Sequence, residues 1–185
     1  PANKALAFNR GLNYLILEIK DDNDFKNKKI VVAKDLFETV IKECKIENYK
    51  KIKEFSGKEF SGTVCSHPFL GIGYDYDIPM FEARFVTIEQ GTGIVHCAPS
   101  HGPDDFNLCL KHGINAPNTM NDAGIYSNEI LFFSGMHIFK ADSVVIDKLS
   151  ECKSLLGNGK LQHSFPHSWR SKAPLIYRAT PQWFI

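Results

Sequence analysis

From Lys50 to Ala98 the chain is a succession of short β-type runs, KKIKEFS, SGTVCS, EARFVTI and GIVHCA, each cut off by a glycine, proline or aspartate cluster. Such punctuation leaves room only for short strands joined by turns. The same pattern begins earlier. LNYLILEI (Leu12 to Ile19) and IVVA (Ile30 to Ala33) flank the polar, charge-rich DDNDFKNKK, which predicts two strands joined by a solvated loop. Two stretches have helical periodicity instead. In DLFETVIKEC, Leu36, Phe37, Val40, Ile41 and Cys44 share one face, and Asp35 with Glu38 has capping-box spacing. ADSVVIDKLSECKSLL, Ala141 to Leu156, predicts a second amphipathic helix stopped by Gly157. NDAG at Asn121 to Gly124 reads as a turn. From Lys160 the chain reads as extended segments broken by Pro166, Pro174 and Pro181. Short strands with a few inserted helices predict a barrel-like α+β domain.

A length of 185 residues suits one domain with a single core. Lys plus Arg number 22 against 21 Asp plus Glu, so net charge makes no case for nucleic acid, although a local basic patch is compatible with it. No apolar run reaches the ~20 residues of a membrane span. Five widely spaced cysteines, an odd number, fit a reducing cytosolic compartment better than a disulfide scaffold.

The chemistry concentrates in GTGIVHCAPSHGPDD, Gly91 to Asp105. It is not a phosphate loop of the GxxxxGK[ST] kind, because no lysine follows and the glycines precede a strand. Cys109-x-x-His112 has ligand-like spacing, but neither CxxC nor HExxH accompanies it, so a buried thiol and a helix-end histidine account for it better than zinc. Cys97 follows His96 directly, and on a strand adjacent side chains face opposite ways, so the two cannot form a nucleophile–base pair. Pro103 is suited to the first position of a helix that ends near Gly113. Asp104 and Asp105 then fall in its first turn, where free N–H groups and the positive end of the dipole suit a carboxylate. The two side chains diverge by about 100°. Either both cap the helix, or one faces a site where an anchored anion would take a cationic group such as an α-ammonium.

These residues carry a resemblance. GTGIVHCAPSHGPDDF resembles the signature of the editing domain, the first connective peptide, of isoleucyl-tRNA synthetases; valyl and leucyl relatives share a GTG motif but not usually the His-x-Ala-Pro-x-His-Gly-x-Asp-Asp form. HSFPHSWRSKAPLIYRATPQWF, His163 to Phe184, is similar to the segment by which that insert returns to the catalytic domain, and PANKALAFN is similar to the tail of the family's threonine-rich editing peptide. Together these matches span nearly the whole chain.

The resemblance implies a single α+β editing domain over residues 1–185, centred on a β-barrel with inserted helices. Residues 160–185 would form the return segment. It implies hydrolysis of valine mischarged on isoleucine tRNA, within a parent enzyme that ligates isoleucine to tRNA with ATP. Asp105 would hold the α-ammonium group and help place the attacking water. His96 would shape a pocket that admits valine and excludes isoleucine, and Asn3 would assist. Gly93, Val95, Ala98, Pro99 and His101 complete the expected substrate-binding set. Isoleucyl enzymes are the standard illustration of why a second sieve is needed: a methylene in an apolar pocket is worth only about 1–3 kcal/mol.

The implied partners are the aminoacylated 3′ end of tRNA and a valine or valyl-adenosine-like ligand, with no membrane. A cytoplasmic monomer is expected. Editing would need no metal or cofactor; ATP and magnesium belong to the synthetic domain, whose HIGH and KMSKS motifs do not occur here. Two departures bear on activity. Cys97 stands where the family commonly has threonine, and the family's pocket threonines fall upstream of Pro1, so weak or absent hydrolysis is expected of this chain alone. In the tail, Arg170, Lys172 and Arg178 near Trp169 and Trp183 would either contact RNA or face solvent and a neighbouring domain. His163 and His167 are given no role. A tRNA-binding module without hydrolysis and a zinc hydrolase are the competing classes.

Overall fold

The computed structural model describes residues 1–159 and 164–180. Its strands are β1 (Ala5–Phe8), β2 (Asn13–Ile19), β3 (Lys29–Ala33), β4 (Tyr49–Ser56), β5 (Val64–Ser66), β6 (Asp77–Glu82) and β7 (Ile94–Cys97). The α-helices are α1 (Phe37–Glu43), α2 (Pro103–Lys111) and α3 (Ala141–Glu151). The strands make two sheets, one of four in the order β5-β6-β1-β7 and one of three in the order β3-β2-β4. β1 runs parallel to β6 and antiparallel to β7.

Alternation along β1 sorts the core. Phe8, with Leu6 packed beside it, faces the three-stranded sheet, where Tyr14, Leu17, Val32, Phe60 and the α1 residues Phe37 and Val40 are buried. Ala5 and Ala7 face the other way, against Leu108 and Cys109 of α2. Their small side chains let α2 lie close to the sheet. A third cluster, including Phe69, Tyr74, Tyr126 and Phe133, packs against α3. Each fully buried large side chain contributes about 1.5–3 kcal/mol.

The expected barrel is not formed: the two sheets stay open. Closure requires every edge strand to be paired. Among the described residues, the turn just before β7 meets the three-stranded sheet through one backbone hydrogen bond, Ala33 N–H to Thr92 O at 2.8 Å. On the other side β4 is an edge strand carrying the exposed Lys50, Lys51 and Lys53, a row of charges that discourages further pairing. The chain then leaves it through a 3-10 turn, Gly57–Phe60, rather than a ladder.

Three local expectations are also corrected. EARFVTI is not a strand. The strand is DIPMFE, and it ends where Ala83 N–H reaches Phe8 O at 2.8 Å. Pro79, which argues against a strand, is accommodated opposite Val64, the first residue of the short β5. The Asp35–Glu38 capping box does not form, because the chain enters α1 through a 3-10 turn over Lys34–Leu36 and Leu36 occupies the cap. A capping box forms instead at Ser56 and Glu59. α3 ends at Glu151 rather than near Gly157; Lys153 takes a left-handed conformation, φ 51°, and Ser154 N–H closes on Leu149 O at 2.8 Å.

Candidate active site

β7 is fixed by β1, with Leu6 opposite His96 and Ala5 opposite Cys97. Alternation puts His96 and Cys97 on opposite faces. Cys97 is buried against α2; burial, with the charge of Asp105 and the Cys109 thiol adding to it, pushes its thiol up to about 12. It stays protonated at neutral pH and is no nucleophile.

Beyond Cys97 the chain reverses through Ala98–Gly102, and His101 N–H closes the turn on Ala98 O at 2.9 Å. Gly102 is the extended cap residue and Pro103 the first helical residue of α2. Gly102 has no side chain to cap the helix, and the carboxyl of Asp105 comes within 3.7 Å of where a Cβ would sit. Asp105 Oδ2 accepts a hydrogen bond from Ala98 N–H at 2.8 Å. Asp104 is exposed. Helix periodicity alone left the two aspartates equivalent candidates. The fold turns Asp105 back onto the end of β7 and leaves Asp104 to solvent. Asp105 also acts electrostatically on His96. His96 has an exposed edge, but the protein crowded around its ring lowers its pKa, an effect that Asp105 opposes and the Pro1 ammonium reinforces. The imidazole is therefore neutral at pH 7.

Residues 1–4 reach the same end of the sheet, where Lys4 N–H donates to Cys97 O at 2.9 Å. Asn3 Oδ1 is buried with no hydrogen-bond partner, and the Asn3 carbonyl accepts from the Tyr76 hydroxyl at 3.1 Å. Asp105, His96, Ala98 and Asn3 thus belong to one end of the four-stranded sheet.

The other expected residues have different places. Pro99 is buried in the turn. His101 has both ring nitrogens engaged: Nδ1–H donates to Tyr177 O at 3.0 Å, and Nε2 lies 2.7 Å from the Thr119 hydroxyl. Val95 faces the side of the sheet opposite His96. Gly93 sits at the far end of β7, where a Cβ would come 2.3 Å from Ala33 Cβ. Its carbonyl accepts from the Tyr14 hydroxyl at 2.8 Å. It serves the junction of the sheets.

Sequence reasoning passed over His67. It is buried, stacks on Tyr74 at 4.7 Å, and accepts from Phe69 N–H through Nδ1 at 3.0 Å. Burial, with the nearby Pro1 and Lys4 charges, lowers its pKa to about 4. Lys4 Nζ lies 3.7 Å from the centre of the Tyr76 ring. The available signal was a lone histidine inside the aromatic stretch His67 to Tyr76.

The tail is stitched onto the turn by Ala179 N–H, which donates to Ser100 O at 2.9 Å. Of its cations, Arg178 pairs with Asp122 at 2.6 Å and Arg170 lies over the exposed Trp169 ring at 4.7 Å. His163, Trp183 and Pro181 lie outside the described residues. Among the described residues no group of three or more His, Cys, Asp or Glu side chains could hold a metal ion. Cys109 is core, and His112 stacks on Phe81. No helix among the described residues is long and apolar enough to cross a membrane.

A carboxylate anchored at a strand–helix turn, beside a neutral histidine and with a protonated thiol on the far face, suits a pocket for a cationic substrate. Comparison with known proteins identifies the class. Residues 12–146 match the family model described as "Leucyl-tRNA synthetase, editing domain", and the chain belongs to that family. Within it, the similarity is to isoleucine–tRNA ligases, as the motifs imply. The chain is 69% identical over 185 residues to the isoleucine–tRNA ligase of Pelagibacter ubique (strain HTCC1062), covering 100% of this chain and 20% of that protein. It is 42% identical over 200 residues to that of Gluconobacter oxydans (strain 621H), covering 100% and 21%. The chain therefore spans about a fifth of the length of the curated relatives it matches. The fold is similar to the crystal structure of GlLeuRS-CP1, with a TM-score of 0.62, 14% identity, and coverage of 86% of this chain and 79% of that one. It is also similar to the cytosolic leucyl-tRNA synthetase editing domain of P. falciparum, at TM-score 0.60 and 12% identity, covering 85% and 74%.

Proposed function

We propose that this chain carries the editing centre of a longer cytoplasmic isoleucine–tRNA ligase, and that it hydrolyses valine from mischarged isoleucine tRNA. The observation that carries this is the anchored carboxylate of Asp105. Its Oδ2 is occupied by Ala98 N–H. Among the described residues its other oxygen has no protein donor, and it is free to take the α-ammonium group of an aminoacyl ester. A neutral His96 beside it does not repel that ammonium and offers a compact wall to an apolar side chain. The buried, unpartnered Asn3 Oδ1 adds an acceptor for a ligand N–H or O–H.

The ester needs no covalent catalyst. A water oxygen attacks the carbonyl carbon, the bond from that carbon to the ribose oxygen breaks, and the water's proton ends on the ribose oxygen. The products are valine and uncharged tRNA. Holding the ammonium fixes the carbonyl relative to the water, which is the contribution positioning makes to such a step.

The test places this chain in the corresponding segment of the P. ubique ligase and follows release of valine from Val-tRNA. Asp105→Ala should reduce the rate by about 100-fold, because it removes the hydrogen-bonded carboxylate that would pair with the ammonium group. Asp104→Ala should leave it unchanged, and charging with isoleucine should survive in both. Normal editing by Asp105→Ala would remove the assigned role. A wild-type chimera that binds and charges tRNA but never releases valine would be a tRNA-binding module without hydrolysis.

A further inference from the structure

At the opposite end of the four-stranded sheet from Asp105 lies a cleft of about 800 Å³. It opens between the ends of β1 and β6, the turn before β5 and the last turn of α2. Four cations frame it, Arg10, Lys58, Arg84 and Lys111, all exposed. The one carboxylate on its lining, Glu82, is met by Arg10 at 3.7 Å. The whole chain carries a formal net charge of only +1, so this concentration is local. On the wall of the cleft the His112 imidazole lies flat on the Phe81 ring, centroids 3.8 Å apart and planes 4° apart. His112 is exposed, so its outer face is open to solvent.

A preformed aromatic stack flanked by cations is the combination that single-stranded nucleic acid uses: a π-face for a base, and positive side chains for the phosphates on either side. An acidic peptide would match the charges but leave the stacked pair without a role. We propose that this cleft binds a single-stranded stretch of RNA, with one base stacked on His112 and the adjoining phosphates met by Lys58, Arg84 and Lys111. The cleft and the proposed editing centre both presuppose an RNA partner, but they are built from different residues. α2, nine residues long, separates the two sites by roughly 13 Å at about 1.5 Å per residue, so they engage different nucleotides.

The experiment measures binding of an uncharged isoleucine tRNA transcript and of a short single-stranded oligoribonucleotide to the full chain, by fluorescence anisotropy over a range of salt. The readout contains no hydrolysis step. Failure of the Asp105 assignment leaves it untouched, and failure here leaves valine release as an independent test of that site. Lys58→Gln with Lys111→Gln should weaken binding at least several-fold and flatten the logarithmic salt slope by about 1.4, at about 0.7 per phosphate contact on single strands. His112→Ala should weaken it by roughly tenfold with the slope unchanged, the signature of a lost stack rather than a lost charge. His112→Tyr should restore affinity by restoring the platform. All these positions are exposed, so the fold tolerates the changes. Wild-type affinity and slope in both the lysine pair and His112→Ala would overturn the proposal, as would failure of the wild-type chain to bind the oligoribonucleotide.

Discussion

Gly93→Ala should damage this domain far more than the loss of two hydrogens suggests. Two costs add at this position. Gly93 has φ 79°, a left-handed conformation that costs an alanine about 1–2 kcal/mol. Its new Cβ would also lie 2.3 Å from Ala33 Cβ, well inside contact distance, and the Ala33 side chain has nowhere to turn. Relief requires the two sheets to part by about an ångström, an overpacking cost of about 1–3 kcal/mol. The sum is roughly 2–5 kcal/mol, or about 4–20 °C in melting temperature at about 2–4 °C per kcal/mol for a domain of this length. Gly91→Ala is the control: its φ is 80°, but nothing lies within 4 Å of its Cβ, so it bears only the backbone cost, roughly 2–8 °C. Melting curves by circular dichroism compare the two. Ala33→Gly, added to Gly93→Ala, should recover the difference, because it removes the atom that clashes. Equal destabilisation by the two glycine variants, or no rescue by Ala33→Gly, would refute steric contact at the sheet junction as the cause.

Tyr14→Phe withdraws the hydroxyl that serves Gly93 O from the same junction and should cost about 1–3 kcal/mol, read as a lower urea midpoint at unchanged slope. His67 supplies a pH signature. Its folded pKa, about 4, lies below the ordinary 6.5, so between those values the unfolded chain binds the extra proton. Its stabilising contribution is complete above pH 6.5 and falls away toward pH 4, by roughly 3.5 kcal/mol at about 1.4 kcal/mol per pH unit. His67→Asn, whose side-chain oxygen can still accept from Phe69 N–H, should flatten that part of the pH profile of the urea midpoint.

Local structure was legible from Gly91 to Gly113 because each signal there was local: glycines before a strand, proline at the first helical position, and a glycine stop after α2. The choice between Asp104 and Asp105 was not, because it depends on which carboxylate meets Ala98 N–H across the turn. The motif resemblance pointed to Asp105, and the geometry supplies a physical reason for its orientation. Strand periodicity likewise says which residues pair but not whether a sheet closes. The lysines of KKIKEFS were a hint that β4 is an edge. EARFVTI has β-type composition, yet β6 lies just before it, because its place is set by pairing with β1 and β5. Gly93 and His101 were expected to bind substrate; one is committed to the sheet junction and the other to Tyr177 and Thr119. Their partners are remote in the chain, and no spacing rule reaches that far.

The turn that delivers Asp105 is not self-contained. Ser100 O is held by the amide of Ala179, and the His101 ring is held by the carbonyl of Tyr177. Its shape is therefore set in part by a segment more than seventy residues downstream. A peptide loop braced in this way transmits load. Tension on residues 177–179 passes through two hydrogen bonds into the loop whose Ala98 amide grips the carboxylate. Movement of whatever adjoins residues 177–179 would be felt at Asp105 without any direct contact with its carboxylate.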